Sequence, residues 1–62
     1  MDTKYFAEML DKKIEVRTMD DLIIGTLKEI DGDVLCIENE KKNGVEKTFV
    51  NKTYISMIRM KP

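Results

Sequence analysis

Histidine and tryptophan are absent from this chain, and cysteine occurs once, at Cys36. Each absence closes a class of function. A lone cysteine cannot form an internal disulfide. Without histidine there is neither a Cys/His zinc site nor an imidazole to activate a nucleophile. Asp31 and Asp33 are turn carboxylates, of the kind that accept backbone hydrogen bonds, and no nucleophile or cofactor loop stands beside them. An enzyme is therefore not expected, and neither is a metal or a cofactor. Long apolar runs are missing too, so neither a signal peptide nor a membrane span is predicted, and the protein reads as soluble and cytoplasmic. A reducing cytoplasm suits an isolated thiol. With three glycines and one proline there is no linker, repeat or low-complexity stretch, which predicts one domain over residues 1–62. A chain of this length buries only about 60% of its unfolded surface. Such domains need a staple, and association with further copies is the one left open.

Charge is plentiful but nearly balanced, with a net value of −1. That balance argues against a general polyanion binder. The distribution says more. Beyond residue 40 the basic side chains are Lys41, Lys42, Lys47, Lys52, Arg59 and Lys61, against Glu46 alone. Acidic groups dominate the rest of the chain. If the C-terminal third gathers on one surface, a basic patch sits on a neutral protein.

Periodicity divides the chain into a helix and five strands. Asp2 or Thr3 can cap a short helix running to about Asp11, with Phe6, Met9 and Leu10 on one side. From Lys13 the period becomes two: Ile14, Val16 and Thr18 alternate with Lys13, Glu15 and Arg17, predicting a strand with one wet face. Asp20-Asp21 marks a turn. Leu22 to Ile30 forms a second strand whose Gly25 signals a bend or a close backbone approach. After the turn Asp31-Gly32-Asp33, the apolar run Val34 to Ile37 opens a third strand, reaching Asn39, with both faces covered. The barrel interior would cover one face and the helix the other. Asn43-Gly44 predicts a hairpin turn. Thr48-Phe49-Val50 forms the fourth strand, Asn51-Lys52-Thr53 a break, and Tyr54 to Met60 the fifth. Five short, bent strands are too little chain for a two-sheet sandwich. They predict a mainly β, strongly bent antiparallel barrel behind a short N-terminal helix.

Gly25, Leu27 and Asp31, together with Asn51-Lys52-Thr53-Tyr54-Ile55-Ser56, resemble the two signature segments of the Sm-like and Hfq-like family of small β-barrels. In that family the glycine lets the second strand bend and the aspartate organises the following turn. The second segment resembles the bacterial junction between the last two strands, matching it at Lys52, Ile55 and Ser56. The resemblance implies an Sm-type barrel and a ring of six or seven copies, in which the fourth strand of one pairs with the fifth of the next. It also implies that the loop between those strands lines a pore on the helix-bearing face.

On that basis Asn51, Lys52 and Thr53 are the candidate RNA-binding residues. A ring of Lys52 charges attracts phosphates, while Asn51 and Thr53 offer hydrogen bonds to a base edge or a 2′-hydroxyl. Arg59, Lys61 and Tyr54 are weaker candidates. Two family features are missing. Asp33 stands where the uridine-stacking aromatic belongs, and Leu35 where one branch of the family has asparagine. Between Lys13 and Ile24 there is also no aromatic to stack adenines. The expected function is a ring-forming RNA chaperone that binds single-stranded RNA, either uridine-rich or adenosine-rich. The alternative is a divergent scaffold that assembles in the same way and binds a protein partner.

Overall fold

The computed structural model describes residues 3–62. A helix α1 (Thr3–Ala7) precedes β1 (Lys13–Thr18), β2 (Leu22–Asp31), β3 (Val34–Lys41) and β4 (Gly44–Asn51). A 3-10 turn (Lys52–Tyr54) then leads into β5 (Ile55–Met60). The helix is shorter than its apolar spacing predicts. From Met9 onward the amides reach back only three residues, to Phe6, Ala7 and Met9, which tightens the winding. Asp11 then takes a left-handed backbone (φ 64°), one of few side chains that tolerate it. Its N–H donates to the Leu27 carbonyl at 2.8 Å, and the Leu27 N–H donates to Lys12 at 3.1 Å. These bonds clamp the chain onto β2. The tighter winding keeps Phe6 and Met9 in the core but leaves Leu10 exposed, against the expectation of one shared stripe. A cap at Asp2 lies outside the described residues, and Thr3 is already helical.

The five strands form one antiparallel sheet in the order β4-β3-β2-β1-β5. It is not closed, because β4 and β5 are its two edges. Yet Val50 of β4 and Ile58 of β5 belong to the same buried cluster as Ile14, Val16, Leu27, Leu35 and Ile37. The sheet therefore curls until both ends face one interior. Two register shifts, at Arg17/Thr18 and at Leu27/Glu29, add local twist. Gly25 permits a close approach between strands. A Cβ there would lie 2.6 Å from the Glu38 carbonyl oxygen and 2.8 Å from Ile37 Cγ2. Its role is closeness between β2 and β3 rather than an unusual dihedral.

Several boundaries differ from the sequence reading. The hairpin loop falls one residue early, on Lys42-Asn43, because Lys41 and Gly44 already pair. Strand β4 extends back from Thr48 to Gly44, held along its length by β3. Tyr54 belongs to the 3-10 turn, not to the last strand. The second face of β3 is covered differently as well. Phe6 and Met9 join Leu35 and Ile37 in the interior, so the helix covers the core side. Cys36, on the opposite face, is buried among Val34, Phe49 and Glu29. Glu15 departs furthest from expectation: on the face read as wet, it is only 8% exposed.

Candidate nucleic-acid interface

The segment joining the two edge strands is built by its own side chains. Asn51 caps the 3-10 turn from an extended backbone (φ −80°, ψ 133°). Its Oδ1 accepts from the Thr53 N–H at 3.0 Å and from the Thr53 hydroxyl at 2.9 Å. The Ile55 N–H donates to the Lys52 carbonyl. The Lys52 N–H donates to the Asp33 carbonyl at 2.7 Å, so the turn after β4 rests on the turn between β2 and β3. Gly32 supplies the left-handed residue (φ 58°) that this second turn needs.

Lys52 does not simply extend into solvent. Its Nζ lies 4.8 Å from the centroid of the fully buried Phe6 ring, within the range where a cation is held by an aromatic face. The charge thus sits where helix, core and 3-10 turn meet. Asn51, Lys52, Thr53 and Tyr54 are consecutive and are brought together by this turn. Arg59 and Lys61 are not. At ~3.3 Å per residue, they stand roughly 13 and 20 Å along the strand direction from Ile55. The Arg59 Nε donates to Glu15 Oε2 at 2.6 Å, across directly paired residues of β1 and β5. That bond explains how Glu15 is buried without an unsatisfied carboxylate. The Lys61 N–H donates to the Lys13 carbonyl at 2.8 Å and prolongs the same ladder.

Phe49 was not among the sequence candidates. Strand alternation turns Val50 inward and therefore Phe49 outward, where it is 66% exposed. The period-two pattern carried that signal, but a strand phenylalanine reads first as core. Tyr54 is 72% exposed and Met19, at the tip of the β1–β2 turn, 97%. The turn that carries Met19 is closed by Thr18, whose N–H donates to the Asp21 carbonyl at 2.9 Å and whose Oγ1 accepts from the Asp21 N–H at 3.1 Å. A groove of about 410 Å³ separates this turn from β4, and its walls include Met19, Asp20, Asp21, Phe49, Asn51 and Tyr54. Its lining combines two aromatic rings on the β4 side with Met19 and two carboxylates on the turn side. Asn51 belongs both to the groove and to the cap of the Lys52 turn.

Among the described residues no group of three or more acidic or cysteine side chains is placed to hold a metal ion. No described helix is long and apolar enough to cross a membrane. No family model matches the chain, and no curated protein or solved structure does.

Proposed function

We propose that the protein is an Sm-like small barrel that assembles through its two free edges into a ring of six or seven copies, and that the ring binds single-stranded RNA. One observation carries this reading. Strands β4 and β5 are consecutive and separated by only three residues, yet they lie at opposite edges of the sheet. Each copy therefore offers two unlike rows of unpaired backbone groups. Unlike edges join head to tail, and such contacts close into rings when the rotation allows. Exposed Val45 on β4 and exposed Met60 on β5 favour burial there. In such a ring the Asn51-Lys52-Thr53 turns would converge around the opening, giving a salt-dependent attraction for phosphates.

Native mass spectrometry tests assembly, and fluorescence anisotropy with oligo-U and oligo-A at two salt concentrations tests binding. A folded single chain at high concentration would overturn the ring. A ring that binds neither oligonucleotide at low salt would overturn RNA as the ligand. A second reading, a ring that serves as a scaffold for a protein, is favoured by how the polar side chains are used. Asn51 Oδ1 and Arg59 Nε are already engaged within the fold. A partner recovered from nuclease-treated lysate would support it.

A further inference from the structure

The groove beside β4 has a use that the pore-side lysine does not supply. We infer that it takes one nucleobase of the bound strand and selects guanine; this rests on the RNA reading above and names the base the groove prefers. Phe49 and Tyr54 come from different segments and line the same groove with exposed rings. Flat apolar faces on a mostly charged surface are what an unpaired base stacks on, whatever its identity. The volume, about 410 Å³, falls within the ~300–1,000 Å³ range of small-ligand sites.

Selection comes from the opposite wall. Asp20 and Asp21 are carboxylates, which accept hydrogen bonds and donate none. Two parallel N–H bonds to one carboxylate are the strongest arrangement available to it. Guanine alone carries adjacent N1–H and N2–H donors on its pairing edge. Adenine and cytosine each place one amino group beside a ring acceptor. Uracil places its single N–H between two carbonyl oxygens, which a carboxylate repels. The same carboxylates repel phosphate, so the backbone must leave the groove on the side of Asn51, which leads to Lys52.

The test is anisotropy with three heptanucleotides, six uridines around a central guanosine, adenosine or uridine, on the assembled protein. The guanosine strand should bind the tightest. F49A/Y54A should weaken it roughly 5- to 150-fold, the span expected for loss of base stacking. D20N/D21N should abolish the guanosine preference while leaving binding of the uridine strand in place. Lys52→Ala should weaken all three strands alike. The four side chains replaced in the groove are all exposed, and circular dichroism with native mass spectrometry verifies that the variants fold and assemble. Equal binding of the three strands, unmoved by F49A/Y54A, would overturn the groove assignment and leave the RNA reading intact. A fall in subunit count for F49A/Y54A would give the groove to a second copy instead and overturn it too. Failure of every strand to bind would overturn the RNA reading and this inference with it.

Discussion

At Gly25 the missing side chain is a geometric requirement, since an added Cβ would press on the backbone carbonyl of Glu38. Gly25→Ala should therefore destabilise the fold by about 1–3 kcal/mol, the usual effect of forcing an atom into packed space. A lowered urea midpoint checks this. Glu15 and Arg59 make a different case. Glu15 is the buried partner and Arg59 the exposed one, so removing the guanidinium strands a carboxylate, whereas removing the carboxylate's charge strands nothing inside. Arg59→Ala should cost about 1–3 kcal/mol and Glu15→Gln less, with equilibrium unfolding as the measurement. Neither partner was legible from the sequence. Alternation puts Glu15 on a wet face, yet it is buried, because its adjacency to Arg59 across β1 and β5 depends on which strands pair. Local pattern does not encode that.

The elements themselves were more readable. Strand number, the close approach at Gly25 and a break between the last two strands follow from period-two patterning and from residues with special backbone needs. The helix was not, because its end is set by a tertiary clamp, the exchange of hydrogen bonds between residues 11–12 and Leu27. The candidate site was half legible. Asn51, Lys52 and Thr53 are contiguous in sequence and in space. Phe49 and the Met19 turn face one another only after the sheet has curled. Helix and turn are joined by the Lys52 charge above Phe6. Lys52→Ala should cost about 0.5–2 kcal/mol through that contact alone, and Phe6→Ala about 3–5 kcal/mol as a core truncation. Thermal melts of both variants measure the difference. Arg59→Ala, far along β5 and tied to Glu15, should alter RNA affinity less than Lys52→Ala in a salt titration.

For the whole molecule the decisive quantity is what becomes of two uncovered edges on a small core. If assembly buries them, folding and association are linked, and the melting temperature should rise with protein concentration. A value independent of concentration over two decades would count against the proposed ring. The unlikeness of the edges has one more consequence. A free peptide copying residues 55–60 would dock on β4 yet carry no acceptor surface of its own. It would act as a chain terminator, leaving arcs where circles should form, and the arc lengths would shrink as the peptide is titrated in.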